Sequence, residues 1–477
     1  MFMTDESLWA EEQFQFCNLG DKRRTDRLIE LAKSLCKNIG KSLSYSCEGD
    51  RAELEGGYRL IRNKKIQASS IAEGLFKSTK LKSKDREVLL AIEDSTSISY
   101  KHSVREELGY IGGGGSKGAY AKGFYAHSVL LVDPKENETL GLIGQLRWIR
   151  GHADYGKHHK RKERPYHEKE SYKWEESSRL VRRRMGTLMR RVISVCDRES
   201  DVYEYLNFKV KSEQRFVIRA VQNRRLAEGE YKHLFSALKE AKKLGEYQVT
   251  ILQKKDRRSR MAQVELYSCK VTLSPPVHHD NPLLEPIDIH VVYAKEKEET
   301  AASEEGLSWL LFTTEPVDSF DDAIQVIYYY QMRWKIEEFH KAWKSGAGVE
   351  RQRMQSAENI GKVAVILATI AVRLLQLKEN AEKNKDKHSY STKINPILSY
   401  EEMTILWLSM QPKNKVPKPL PEVWPDAEWI YKSIAKLGGW TDSKRLGKAS
   451  WKTLWDGWFK LQERLEGYLK VKNFAEI

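Results

Sequence analysis

Apolar and polar positions along this chain fall into blocks whose period changes several times. Leu28, Leu31, Ala32 and Leu35 recur at helical spacing, with Arg23, Arg24, Arg27, Lys33 and Lys37 spread around them. A second segment, Asp50 to Arg62, ends in further basic residues, so residues 1–65 read as a small helical unit. Val88 to Ile92 is a strand-like run ended by Glu93-Asp94, which places a carboxylate at the strand's C-terminal end. Ser128–Val132 and Leu140–Ile149 make a hairpin through Asp133-Pro134. A helix carrying Leu180, Met185 and Leu188 leads to the strand Val192–Val195, which ends in Cys196-Asp197-Arg198-Glu199, and Arg215–Ala220 is a further strand. From about 223 to 304 the pattern becomes alternating and β-like, with a basic cluster at 254–260 and a Pro-rich turn at 275–286, as in an inserted β-rich subdomain. Leu307–Thr314 is a buried-type strand that returns to the core.

The chain reads as helical from Val363 onward, interrupted by polar linkers at 379–395 and 411–425. Its last helix sets Trp451, Leu454, Trp455, Trp458, Leu461 and Leu465 at three-to-four spacing. Such a stripe describes either monomer core or a partner surface. The expectation carried forward is a dimer contact through Trp451, Trp455 and Trp458.

Composition narrows the partners. The 477 residues are 40% hydrophobic and 31% charged with a net charge of +15, which points to nucleic acid first and an anionic membrane second. The longest apolar run, Val363 to Val372, is too short to span a bilayer. The acidic first residues lack a signal-peptide core, and the five cysteines form no C-x-x-C pair, so a reducing cytoplasm is expected. Gly112–Gly115 lacks the order of a phosphate-binding loop and reads as a mobile loop. The basic run 157–164 reads as a solvated or phosphate-contacting connection, because its histidines lack a zinc-site spacing.

The chemistry concentrates in Tyr330 to Lys344, YQMRWKIEEFHKAWK. On an ideal helix of about 100° per residue, Tyr330, Arg333, Lys341 and Lys344 fall within roughly 40° of Glu337. One carboxylate is thus bracketed by three cations, which suits a hard divalent ion with a polyanion held beside it. The plain alternative is a solvated helix with i,i+4 ion pairs. Asp94 and Asp197, each following an apolar strand, complete a possible triad. Strand–Asp94, hairpin, helix, strand–Asp197, strand, β insertion, strand, helix–Glu337 is the element order of a ribonuclease-H-like α/β core with a mixed sheet. Three convergent acids hold two divalent ions about 4 Å apart for in-line phosphodiester displacement.

The sequence resembles the bacterial D-D-E cut-and-paste transposases of the insertion-sequence-four group. Their Y-x2-R-x3-E-x6-K signature is met by Tyr330, Arg333, Glu337 and Lys344. AIEDSTSISY around Asp94, VCDRESD around Asp197, RFVIR at 215–219 and WLLFTTEPV at 309–317 also match, as do GDKRRTDRL near the start and GKASWKTLWDGW near the end. The run 157–164 and the insert 223–304 diverge, so DNA contacts there do not carry over.

The resemblance implies three domains: an N-terminal helical DNA-binding domain (1–65), a ribonuclease-H-like catalytic domain (66–362) and a C-terminal helical dimerisation domain (363–477). It implies a homodimer that pairs two transposon ends and then joins them to target DNA through nicking, hairpin formation, hairpin opening and strand transfer. Asp94, Asp197 and Glu337 would hold two Mg2+ ions, with Mn2+ as a substitute. Tyr330, Arg333 and Lys344 would grip phosphates, and Trp309 would receive a flipped base. Lys341, Arg219, Arg351 and Arg353 extend the DNA-contacting set, and Arg23, Arg24, Arg27 and Arg62 would read the end sequence. No membrane or nucleotide cofactor is implied. A DNA-binding descendant without chemistry and a structure-selective nuclease of the same core are the competing readings.

Overall fold

The computed structural model describes residues 6–47, 49–112, 121–150, 164–251, 260–277, 283–297, 306–383, 398–412, 416, 418–441 and 449–475. Most of Gly112–Gly115, nearly all of the 157–164 run and most of the 254–260 cluster therefore lie outside the described residues, as do parts of both polar linkers. Five helices open the chain: α1 (Glu6–Phe14), α2 (Lys22–Lys37), the single turn α3 (Leu43–Ser46), α4 (Arg51–Arg62) and α5 (Ala68–Lys82). Then come β1 (Leu89–Tyr100), β2 (Gly109–Tyr110), β3 (Lys122–Asp133), β4 (Glu138–Trp148), α6 (Lys173–Met185), β5 (Val192–Cys196), α7 (Tyr203–Lys211) and β6 (Arg215–Arg219). The short α8 (Leu234–Ala237) precedes β7 (Lys242–Ile251), β8 (Arg260–Leu273), β9 (Ile287–Glu296) and β10 (Ser308–Thr313). Helices complete the chain: α9 (Phe320–Gln331), α10 (Trp334–Lys341), α11 (Ala357–Lys383), α12 (Tyr400–Ser409), α13 (Ala427–Leu437) and α14 (Trp451–Ala475).

These elements form two compact units. One holds residues 79–99 and 108–337, the other residues 1–78, 100–107 and 338–477. The first is built on one mixed sheet in the order β2-β3-β1-β5-β6-β10-β9-β8-β7, with β4 paired to β3. Its centre is parallel: β1 pairs with β5 so that Glu93 faces Cys196, and β5 pairs with β6. All five residues of β5, Val-Ile-Ser-Val-Cys, are buried, as expected of a central parallel strand covered on both faces. This is the expected ribonuclease-H-like mixed sheet with helices.

Three expectations need correction. First, β1 does not end at Asp94 but continues to Tyr100, with Ile98 and Tyr100 buried, so Asp94 sits in the middle of a long strand. Second, the buried face of α6 is Trp174, Ser177, Ser178, Val181 and Met185, and Leu188 lies beyond the helix in a tighter turn. The aromatic at its first turn and two small serines let α6 approach the sheet, which an apolar count alone misses. Third, the β-rich insertion is no separate subdomain. β10 pairs antiparallel with β6 on one side and β9 on the other, so the insertion extends the same sheet. Strict alternation in β8, with Ala262, Val264, Leu266 and Ser268 inward, fits a strand with one covered face.

The helical unit buries the stripe read from sequence: Leu28, Leu31, Ala32 and Leu35 of α2, joined by Leu60 and Ile61 of α4. Buried Lys362 of α11 donates to Ile61 O (3.0 Å) and Asn63 O (2.9 Å), so an ammonium caps the C-terminus of α4. Helix α11 is long and apolar enough to cross a membrane by composition, yet 83% of its most apolar window is buried inside the fold, as for a core helix. Its apolar residues extend beyond the ten-residue run read from sequence.

The tryptophan stripe of α14 is largely occupied within the chain. Trp455 is buried against Gly346, and Trp458 packs on a cluster of Met403, Leu406, Ile430, Ile434 and Leu461 from α12, α13 and α14. Part of the surface that Trp455 and Trp458 would offer a dimer partner is thus covered by α12 and α13, apolar neighbours that the sequence stripe did not reveal. The side chain of Trp451 lies outside what is described.

Helices α13 and α14 cross at two glycines. A Cβ at Gly438 would overlap Thr453 O, and one at Gly457 would overlap Ile434 O. Both obstacles are backbone and cannot swing aside. Gly457→Ala should therefore destabilise the helical unit at or above the upper end of the usual overpacking range, about 3 kcal/mol. Urea unfolding followed by circular dichroism measures this, and an unchanged midpoint would refute the close crossing.

Candidate active site

Asp94 comes from the middle of β1, and Asp197 follows the last residue of β5 on the neighbouring parallel strand. Asp197 caps the following short turn, accepting from the Glu199 amide at 2.8 Å. Glu337 lies in the first turn of α10. The sheet and α10 thus bring together three acids separated by 103 and 140 positions in sequence (197 − 94 and 337 − 197).

One guanidinium connects two of them. Arg333 forms a short ion pair with Glu337 and lies 3.6 Å from Asp94 Oδ2. Its position depends on a break absent from the ideal helix drawn for residues 330–344. Helix α9 ends at Gln331, and i→i−3 bonds carry the chain through the junction into the first turn of α10, Arg333 N–H to Tyr330 O (3.0 Å) and Ile336 N–H to Arg333 O (3.2 Å). Downstream, residues 342–346 form a wider π-type turn. Both departures change the angular spacing. Lys341 pairs within α10 with Glu338 (3.4 Å), which also binds Lys378. Lys344 lies in the π turn, where burial pulls its ammonium pKa down.

The electrostatics follow from crowding. Burial, and then the negative charge of Asp197, push the Asp94 carboxyl up to about 6, against the opposing effects of the Ser95 amide and Arg333. Burial likewise raises Asp197, opposed by the Glu199 amide, Arg333 and Lys173. Lys173 opens α6, pairs with Glu199 (3.3 Å) and lies over the Trp148 and Trp174 rings. Sequence reading missed it, since it stands as one lysine at the end of a long polar connection.

Beside the acids stands an aromatic and cationic group. The Trp309 ring meets Tyr330 edge-on at 5.4 Å, and Arg219 hydrogen-bonds Tyr330 and reaches Ser308 O (3.4 Å). Burial raises the Tyr330 phenol. Trp309, Arg219, Tyr330 and Arg333 are therefore brought together with the acids in one unit.

The remaining expected DNA contacts belong to the helical unit. Arg351 donates to Ser345 O (2.9 Å) and Gly346 O (3.3 Å), which occupies part of its guanidinium with capping, while Arg353 is exposed. Arg23 pairs with Asp21 at the surface, Arg24 donates to Leu19 O (2.9 Å), Arg27 lies against Gly56 and Arg62 stacks over Tyr58.

Residues 6–66 match the family model for the transposase DNA-binding domain, and residues 165–373 match the model for the transposase DDE domain. The chain is a DDE-type transposase. Asp197 and Glu337 lie inside the matched DDE region and Asp94 outside it, carried alongside by the pairing of β1 with β5. Arg23, Arg24, Arg27 and Arg62 lie inside the matched DNA-binding region.

DDE domains act on DNA with divalent metal ions. Among the described residues, no three acid, histidine or cysteine side chains converge as packed on one ion position. The donor set nevertheless fits a hard cation in kind: three carboxylates, two of them raised chiefly by burial, with Arg333 supplying positive charge between Asp94 and Glu337. When bound, a divalent ion supplies the Lewis acidity and activated oxygen of phosphodiester cleavage.

The Asp94 shift gives a stability test for the transposase. Its folded value of about 6 lies above the ordinary 3.8, so the folded state holds the proton more tightly. The resulting stability is complete below about pH 4 and is lost as pH rises through 6. Above that, ionised Asp94 works against folding. In metal-free buffer, Asp94→Asn should stabilise the protein at pH 8 by about 1–3 kcal/mol, the gain shrinking as pH falls toward 4.5. A gain independent of pH would show that the carboxylate is not crowded.

Proposed function

We propose that this protein is a cut-and-paste transposase of the insertion-sequence-four group, similar to the Tn-five transposase. It would bind transposon ends, pair two of them in a homodimer and move them to target DNA by nicking, hairpin formation, hairpin opening and strand transfer. The observation that carries this reading is the meeting of Asp94, Asp197 and Glu337 around Arg333, with Trp309, Tyr330 and Arg219 beside them. Asp94, Asp197 and Glu337 would hold two Mg2+ ions, with Mn2+ accepted in their place. The site of action would be the cytoplasm, on the nucleoid.

The roles follow from chemistry. Arg333 offers a planar fork of donors that suits phosphate oxygens. On DNA binding it would exchange a carboxylate for a phosphate, leaving the acids free to ligate. Tyr330 and Arg219 line the same place. Lys344, Lys341, Arg351 and Arg353 would contribute backbone contacts further along the DNA, and residues 1–65 would read the end through Arg23, Arg24, Arg27 and Arg62. Lys362 ties α4 to α11, so end recognition is better tested by substitution than by truncation. Arg23→Ala combined with Arg62→Ala should lower affinity for the cognate end severalfold more than for random duplex. Equal loss on both DNAs in gel-shift titrations at fixed salt would place recognition elsewhere.

The decisive experiment separates a transposase from a nuclease at Trp309. Nicking needs water and the acid triad, whereas hairpin formation needs the opposite strand bent back onto the freed 3′-hydroxyl. A flipped base stacked on Trp309 would offset that strain, at about 1–3 kcal/mol per stacked base. Trp309→Ala should leave first-strand nicking intact and lower hairpin product about tenfold, with partial recovery in Trp309→Phe. Denaturing gels of end-labelled DNA follow both species. Equal loss of both in a folded variant means that Trp309 is structural, and an unaltered hairpin yield removes its base-stacking role.

A further inference from the structure

Behind Asp94, on the opposite face of β1, lies a buried polar layer that contacts no DNA or metal in the reading above. Glu93 and Ser95 flank Asp94, and alternation along the strand turns both away from it. His127 of the neighbouring strand β3 spans the pair: its Nε2 lies 3.2 Å from Glu93 Oε2 and its Nδ1 lies 3.0 Å from Ser95 Oγ. His127 and Glu93 are both fully buried. The imidazole edge packs on buried Trp174, with ring centres 4.6 Å apart at 81°. Ser95 closes the chain by donating its amide to Asp94 Oδ1 at 2.7 Å. A ring donating from Nε2 to Glu93 accepts the Ser95 hydroxyl at Nδ1, so one imidazole fixes the residues on both sides of Asp94.

The neighbouring acid-bearing strand is held in a similar way. Lys209, fully buried, donates to Ser194 Oγ (2.7 Å) on β5, three residues before Asp197, and to Gln214 Oε1 (3.1 Å). Buried charge is a poor source of stability, since apolar groups of the same volume usually fold as well or better. Glu93 even leaves Oε1 buried without a hydrogen-bond partner among the described residues. A layer of this kind, directly behind a crowded carboxylate, is explained by what it holds in place.

We propose that His127 is a positioning residue for the cleavage reaction, acting through Ser95 to hold the Asp94 carboxylate in its ligating orientation. This rests on the reading of Asp94 as a metal-holding acid of the transposase. It predicts defects in metal binding and chemistry, and none in DNA recognition.

The test uses the full chain with His127→Ala, His127→Gln, Ser95→Ala and the Ser95→Ala/His127→Ala double variant. Mn2+ binding without DNA is read from the electron paramagnetic resonance of the free ion. Single-turnover nicking, end binding in gel shifts and thermal unfolding are measured alongside. His127→Ala should weaken Mn2+ binding threefold or more and slow nicking tenfold or more, with end affinity unchanged. Ser95→Ala should show part of the same defect, and the double variant should be no worse than His127→Ala alone. His127→Gln, which keeps one polar partner for the layer, should recover part of both losses.

Wild-type Mn2+ affinity and nicking in a folded His127→Ala or Ser95→Ala would overturn the proposal. Should His127→Ala fail to fold, Ser95→Ala decides, because it leaves Asp94's amide donor in place and removes only the link to the ring. Asp94→Ala separates the two levels of inference. If it retains Mn2+ binding and nicking, the assignment of the metal site falls and the proposal falls with it. If it loses both while Ser95→Ala and His127→Ala keep both, only the positioning role is lost.

Discussion

Like-charge crowding is the constraint on which this catalytic unit depends. Burial penalises the ionised forms of two half-buried aspartates, Asp94 on β1 and Asp197 just after β5, and the charges of Asp197 and Glu337 press further on Asp94. Asp94 absorbs much of this, titrating near 6, where an ordinary aspartate would long since be charged. Arg333 is placed to relieve it, touching Asp94 and Glu337 at once. The arrangement is stable enough to fold and strained enough to favour a second source of positive charge. A divalent ion on one side and a DNA phosphate accepting Arg333 on the other answer to the same electrostatic need.

The short break between α9 and α10 matters for the same reason. An unbroken helix would carry Arg333 and Glu337 on one smooth stripe, as any i,i+4 pair lies. The tightened turn at 332–333 instead lets the guanidinium reach both the strand and the helix. Sequence periodicity alone could not foresee it, because propensities in this segment are ordinary and the departure shows only in the hydrogen-bond pattern. The same limit applies downstream, where a π turn follows at 342–346 and Lys341 pairs with Glu338 rather than with Glu337.

What the chain disclosed early was the sheet's centre and the acids. Val192–Cys196 is apolar but for Ser194 because both faces are covered, and the acid directly after it is visible without coordinates. Asp94 was found for a partly wrong reason: its strand continues six residues further, and only the parallel register with β5 puts it beside Asp197. The α6 face was misread because serines serve as packing residues there. The tryptophan stripe of α14 left core and partner surface open, because a stripe cannot say which neighbour covers it; two short helices in the same chain cover part of it. The β-rich insertion differs again. Its alternation was legible, but its continuity with the main sheet depends on β10, which pairs on both edges.

The polar layer behind β1 and β5 was invisible in sequence for another reason. Glu93 and Ser95 flank Asp94 within its matching segment, but their partners His127, Ser194 and Lys209 stand singly up to more than a hundred positions away. Their joint effect is mechanical. A carboxylate that must ligate an ion gains little from a strand free to twist, since misplacement by about 1 Å is enough to lose a large part of a reaction rate. A purely apolar layer would cover the same area but would fix no dihedral angle, because apolar contacts are non-directional. Hydrogen bonds from one rigid ring to both neighbours of Asp94 supply the direction that packing lacks. On the proposed role, the polar layer behind the sheet would hold the direction of the carboxylate in front of it, with some stability given up on both faces.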